Sequence, residues 1–381
     1  MTINQIYSVV NSLTKNITTD VSNIVDYSTF VSFGGDVLSS NTNREVFYNT
    51  LVDRIGKTVF AIREYKADDR KVLVDSFTFG SILQKISYRL QDSEYNSDWR
   101  YDTESGTSND NPYTYEAKGG VIQKLFAQTL PTFAYKDVIY DFQLESAFVS
   151  PQAMGGFING IYERMNTSLE LAKEGMNATA INSFAIQIFE SSVNASRRKR
   201  NLAKEYNDLH PNATVTSVQD AFENEDFLKF ATAEIALTLP RLAKPTLKYN
   251  DGTVERHTSK DNLVIEMWAN FTKYFDVSLA SSTYHDELVK LPNYNGTVPY
   301  WVSETAGGNI PYNDGEEDTE IPNVLCIMRD KDAVVTTLER EEIVSMYDQF
   351  NKRTPIKLSA DRRYIADTSE NGVIFYLDFS A

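Results

Sequence analysis

The 381 residues can bury a sizeable core and leave room for two or three domains or for one elongated subunit. With 37 basic against 53 acidic residues, the net charge of −16 repels nucleic acid except at a local basic patch, which excludes wrapping of DNA around the whole chain. One cysteine rules out an intrachain disulfide, the start Met1-Thr-Ile-Asn-Gln-Ile6 has neither the basic nor the apolar region of a signal peptide, and no apolar run approaches the ~20 residues that span a bilayer; a protein folded in the cytosol, with no membrane partner, is expected.

In chain order, Ile3, Ile6, Val9, Val10, Leu13 and Ile17 fall at helical spacing behind Thr2 as an N-cap, and predict an N-terminal amphipathic helix. Phe47, Leu51 and Ile55 predict a second helix stopped by Gly56. Residues Thr58 to Tyr65 and Lys71 to Phe79 are β-branched and aromatic, and read as strands joined by the charged turn Lys66 to Arg70. From Asp92 to Gly120 apolar periodicity is lost, which predicts a long exposed loop. Strands on both sides of it, including Val121 to Phe148 broken near Pro131, predict a protruding two-stranded arm.

Ser150 and Pro151 form an N-cap and N1 pair, and open a helix running towards Lys173, about 25 residues and roughly 37 Å long. A separate helix, Asn177 to Val193, is expected after Gly175, followed by the basic run Arg197-Arg198-Lys199-Arg200. Phe222, Phe227, Phe230, Ala231, Ile235 and Leu239 predict a further helix ended by Pro240. Beyond the turn Asn250-Asp-Gly252, strands are expected at Leu263 to Met267, Val298 to Trp301, Asn323 to Met328 and Val373 to Phe379, with a helix at Tyr284 to Leu291. The acidic stretch Gly307 to Glu320 reads as a surface loop, and the mixture as an α+β fold. There is no internal repeat.

Catalytic signatures are missing. His210, His257 and His285 lack metal-site spacing, Cys326 sits in the apolar run Val324 to Met328 as a buried structural thiol, and there is no phosphate loop, nucleophile elbow or dinucleotide fingerprint. Gly155, Gly156 and Gly160 lie in a helical pattern, where close helix packing accounts for them better than a cofactor does. Carboxylate pairs such as Glu316 to Asp318 and Glu339 to Glu342 suit a glycosidase in principle, but 53 acidic residues make such pairs commonplace on solvated faces. The run Arg197 to Arg200 reads either as a contact for phosphate, an acidic neighbour or a scaffold, or as a solvated helix end. The 22 tyrosines and 21 phenylalanines, many tyrosines in polar stretches, favour a half-wet assembly surface.

Several segments together carry a resemblance. Asn49-Thr-Leu-Val-Asp-Arg-Ile-Gly56, Leu144-Glu-Ser-Ala-Phe-Val-Ser150, Phe227 to Leu242, Leu263-Val-Ile-Glu-Met-Trp268, Tyr274-Phe-Asp-Val277 and Leu325-Cys-Ile-Met-Arg-Asp-Lys-Asp332 occur in an order similar to that of major capsid proteins of tailed double-stranded-DNA bacteriophages, in particular the head proteins of small short-tailed, podovirus-type phages. The resemblance spans nearly the whole chain on short motifs. It implies the Hong Kong 97 capsid fold: an N-terminal arm (1–45), a peripheral domain with a spine helix (46–70 and 145–241), an extended β-loop (71–144), an axial domain (242–365) and a C-terminal strand (366–381). It further implies a non-enzymatic, self-assembling head protein of the virion, built in the host bacterial cytoplasm as hexamers and pentamers of an icosahedral or prolate shell. Scaffolding protein, portal and weakly held packaged DNA are the implied partners. No catalytic, cofactor-binding or metal residue is expected, and Arg197, Arg198, Lys199 and Arg200 are the candidate contacts to a neighbour, scaffold or DNA. The competing readings are a tail or collar component and a cytosolic hydrolase using paired carboxylates.

Overall fold

A computed structural model describes residues 23–48, 73–76, 82–88, 121–127, 132–282 and 294–380, with the single positions 7, 10, 11, 50 and 291. In chain order the helices are α1 (Tyr27–Ser39), α2 (Asp141–Ala147), α3 (Pro151–Glu190), α4 (Ala195–Arg198), α5 (Leu202–Leu209), α6 (Val218–Glu223), α7 (Glu225–Leu242) and α8 (Ala269–Ser282). The strands are β1 (Leu73–Ser76), β2 (Ile82–Tyr88), β3 (Val121–Ala127), β4 (Thr132–Tyr140), β5 (Lys199–Asn201), β6 (Leu263–Trp268), β7 (Gly296–Val298), β8 (Ile310–Asn313), β9 (Asp318–Ile321), β10 (Val324–Asp330), β11 (Val334–Ser345), β12 (Arg353–Ala366) and β13 (Gly372–Tyr376). Of the N-terminal helix expected from residue 3, only Tyr7, Val10 and Asn11 are described, and all three are helical; residues 41–48 are helical as well. The expected strand 58–65, the polar loop 92–120 and most of the expected helix 284–291 lie outside the described residues.

Helix α3 dominates the molecule. Ser150 caps it by accepting from the Ala153 N–H at 3.1 Å, Pro151 occupies N1, and the helix then runs unbroken for 40 residues, about 60 Å. Two helices separated at Gly175 were expected. Gly175 costs the helix interior only about 1 kcal/mol, less than tertiary packing on either side supplies. Upstream, Met154, Ile158, Ile161, Met165 and Leu169 enter one core; downstream, Ala180, Ile181, Phe184, Ala185 and Ile188 enter another.

The first core lies beneath a four-stranded sheet of order β1-β11-β12-β4. Ile356 and Leu358 of β12 and Ile139 of β4 face it, and α1 closes it with Phe30, Phe33 and Val37. Helix α1 was missed in the sequence, although its signals are local. Asp26 and Thr29 form a capping box, and Phe30, Phe33, Gly34 and Val37 follow at i, i+3, i+4, i+7. The β11–β12 hairpin was missed too, because Pro355 argues against a strand and the charged stretch Glu339 to Glu342 masks the alternation. Within the span grouped with the axial domain from the sequence, β12 pairs with β4 through residues 353–361 and β11 pairs with β12 and β1, in a sheet separate from the second one. The strands expected over Val121 to Phe148 end at Tyr140; residues 141–147 turn helical and bury Leu144 and Ala147 one turn apart.

The second core surrounds a five-stranded sheet of order β5-β13-β10-β6-β7. Central β10 is buried at every position, as an apolar run covered on both faces should be. Gly372 lets α3 lie directly on β13, since a Cβ there would stand 2.5 Å from Cζ of Phe184 and 2.8 Å from Cδ1 of Ile188. Phe222 belongs to α6, not to the following helix, because Asn224 interrupts and caps α7 through the Phe227 N–H at 3.0 Å. Pro240 lies inside α7, not at its end; in the last turn its missing N–H costs one bond, and Ala243 N–H closes the helix on the Leu239 carbonyl. The acidic stretch expected as a loop is a hairpin, β8–β9, with Glu316, Glu317 and Asp318 exposed around its Gly315 turn, where φ is +100°.

Candidate assembly surface

The basic run is divided by the fold. Arg197, in the last turn of α4, is exposed. Arg198 is 1% exposed and donates from Nη2 to the Thr368 carbonyl at 3.4 Å; burial pushes its pKa down to about 10 against the pull of Asp251. Lys199 starts β5, donates to the Phe189 carbonyl and lies 5.5 Å from the Phe189 ring centroid; burial first, and Arg198 second, lower its pKa. Arg200 forks between Glu205, 2.5 Å from Nε to Oε1, and Glu234, 2.7 Å from Nη2 to Oε2; the Glu205 hydrogen bond raises its pKa against the cost of burial. A run of four cations read from sequence as one patch is therefore one outward arginine and three side chains committed to the subunit's own interior.

A second charge cluster has no sequence signature, because its members are far apart in the chain. Strands β2 and β3 pair antiparallel, with Lys85 opposite Lys124. Lys85 Nζ meets Asp367 at 2.6 Å and Glu370 at 2.7 Å, both carboxylates nearly buried in the loop before β13. Arg256 reaches Glu370 at 3.3 Å and donates to the Ser87 hydroxyl at 2.5 Å. One edge of the ribbon is thereby fastened to the five-stranded half of the molecule.

The third feature is apolar. Tyr140 and Phe142 stack with centroids 5.7 Å apart while 41% and 63% exposed, beside exposed Val149, whose carbonyl accepts from the Tyr27 hydroxyl at 2.9 Å. Between α2, β4 and α3 runs a groove of about 430 Å³, walled by Val138, Phe142 and Phe157 and bounded by Arg164. Gly156 and Gly160 line it, both exposed, and a Cβ on either would meet no atom of the described residues within 4 Å. The close helix packing expected from sequence is not made to these two glycines by any described residue of the same subunit. The β11–β12 turn stands near one end of this surface, held by Tyr347 OH and Arg44 Nη1, each 2.8 Å from Asp141 Oδ2, and it presents Phe350 wholly exposed.

Nothing in these clusters is arranged for catalysis. Among the described residues no group of three or more His, Cys, Asp or Glu could hold a metal ion, and no helix is long and apolar enough to cross a membrane. Cys326 is fully buried in β10 and burial pushes its thiol pKa up, while His210 stacks on Tyr206 at 4.3 Å and His257 is exposed.

A model of the family described as phi29-like phage major capsid protein matches residues 6–376. The chain belongs to that family. No curated protein matches the sequence. Among solved structures, a chain of the capsid structure of Staphylococcus phage Andhra matches with a TM-score of 0.52 at 8% identity, covering 81% of this chain and 84% of that chain. A chain from the structure of head fiber and inner core protein gp22 of native bacteriophage P68 matches with a TM-score of 0.51 at 9% identity, covering 81% and 83%. At such identity the likeness is one of fold, and the fold is that of Hong Kong 97-like phage capsid proteins. As a member of the phi29-like major capsid protein family, the chain has a structural, non-enzymatic role: copies assemble with one another into the capsid of the virion.

Proposed function

We propose that this capsid protein forms the pentamers and hexamers of an icosahedral or prolate head around double-stranded DNA, assembled in the host bacterial cytoplasm with a scaffolding protein and a portal. The observation that carries this reading is α3, which inserts its first half into one core and its second half into the other and so makes a rod of about 60 Å through the subunit. A plate stiffened in this way transmits the contacts at one edge to the other, which a closed shell of repeated contacts requires.

In the proposed division, α3 is the spine of a peripheral unit to which the β1-β11-β12-β4 sheet belongs. The five-stranded sheet with α5 to α8 forms the axial unit, and the β2–β3 ribbon is the described part of the extended loop. Residues 1–45 act as the N-terminal arm, and β13 with residues 377–381 as the C-terminal strand. Arg197 is the member of the basic run offered to a neighbour, a scaffold or DNA.

Weak DNA contact suits a container that must release its genome, and the net charge of −16 favours it. Coexpression with the genes flanking it, followed by sedimentation and nuclease treatment, tests the proposal. Shells that protect DNA of genome length support it, whereas shells that never enclose DNA oppose it. The soluble subunit is expected to bind duplex DNA only weakly, and to lose that binding between ~50 and ~200 mM salt.

A further inference from the structure

Two features of the apolar surface have no partner among the described residues and are shaped for each other. Gly156 and Gly160 each cost α3 about 1 kcal/mol relative to alanine, yet both are exposed and no atom of the described residues lies within 4 Å of where their Cβ would be. Helix glycines one turn apart let another chain come close to the backbone. The groove above them, about 430 Å³ with Phe157 and Phe142 as walls, has room for an aromatic ring.

Phe350 is such a ring, 100% exposed and set on a rigid turn. Asp348 organises that turn, accepting from Asn351 Nδ2 at 2.7 Å and from Arg353 Nε at 3.2 Å, while its backbone pairs with Arg353 in both directions. Below, Asp141 N–H donates to the Lys352 carbonyl at 3.0 Å. A side chain held out by a fixed turn loses little conformational freedom on docking. A wholly exposed phenylalanine in the same β11–β12 connection as Met346, itself 67% exposed, is costly to leave in water unless something covers it.

We propose that Phe350 of one copy inserts into the Gly156–Gly160 groove of a neighbouring copy. The occupant is a second copy of this chain because the family to which it belongs builds shells from its own copies, and the turn beside the groove is tied down through Asp141 while Phe350 itself faces solvent. Every subunit then gives one knob and receives another, either reciprocally about a two-fold axis or in turn around a ring. The inference rests on the capsid reading.

Variants F350C and G160C test it, mixed with each other or each with parent protein before assembly and treated with a short bismaleimide; Cys326 is buried and stays silent. A cross-linked dimer in shells containing both variants, and in none containing either alone, is expected. Parent-like shells without that dimer overturn the contact but leave the capsid reading standing, whereas parent protein that never assembles overturns both. As a second arm, G160L puts its side chain into open space and is expected to keep the thermal midpoint while lowering ring formation at least roughly tenfold, as is F350A. Parent-level assembly by both variants, as would follow if nothing filled the groove, overturns the proposal, and so does loss of assembly with G160L alone, as would follow if a scaffold peptide filled it.

Discussion

Lys85 and Asp367, 282 positions apart, meet through Nζ and Oδ2 at 2.6 Å, and the same ammonium reaches Glu370 at 2.7 Å. Burial disfavours the charged amine, but the two carboxylates outweigh it and hold its pKa above the ordinary 10.5. A raised pKa stabilises fully below the unfolded value and is lost as pH rises through the folded one. K85M is therefore expected to lose about 1.5–3 kcal/mol at neutral pH by leaving two nearly buried carboxylates without their cation. Thermal unfolding of variant and parent should differ at pH 7 and converge in strong alkali, beyond 10.5; equal midpoints at pH 7 would show that the ribbon is not fastened there.

Two glycine substitutions should act in opposite directions. At Gly34 a Cβ would come within 2.7 Å of Cδ1 and 2.8 Å of Cγ of Phe148, a ring packed among Phe30, Phe33 and Phe47. G34A should thus cost about 1–3 kcal/mol by overpacking, despite the better helix propensity. At Gly175 no atom of the described residues lies within 4 Å of where a Cβ would stand, so G175A should stabilise by about 1 kcal/mol. Chemical denaturation of both variants reads the two signs.

Arg200 should behave as a structural residue and not as a docking one. R200M leaves Glu205 and Glu234 without the fork between them, and should cost roughly 2 kcal/mol. R197A, at the exposed end of the same run, should leave stability within about 0.5 kcal/mol of the parent. Parallel melts distinguish the two positions.

How much of this was legible in the sequence depended on whether the deciding interaction was local. The Ser150-Pro151 start of α3 and the buried run of β10 could be read directly, because a cap and an apolar stretch carry their own signal. The continuity of α3 through Gly175 could not, since it depends on two cores that the sequence does not display. Burial of Arg198 and Arg200 was hidden for the same reason: a run of cations reads as surface, while their partners lie at Thr368, Glu205 and Glu234. The Lys85 cluster joins residues from three distant segments, whereas Asp26 with Thr29 at α1 and Asn224 with Phe227 at α7 were local signals left unread.

Cys326 should be inert in the native protein. It is buried in the middle of β10 and burial raises its thiol pKa, so neutral-pH alkylation is expected to label it only after denaturation. Rapid labelling of folded protein would mean that β10 is accessible and the five-stranded core open.

Negative-stain microscopy combined with sedimentation, on the protein made alone and with its genomic neighbours, tests the central claim most directly. Closed shells, or pentameric and hexameric rings, are the expected result. A stable monomer under every condition, with no ring or shell, would contradict the account.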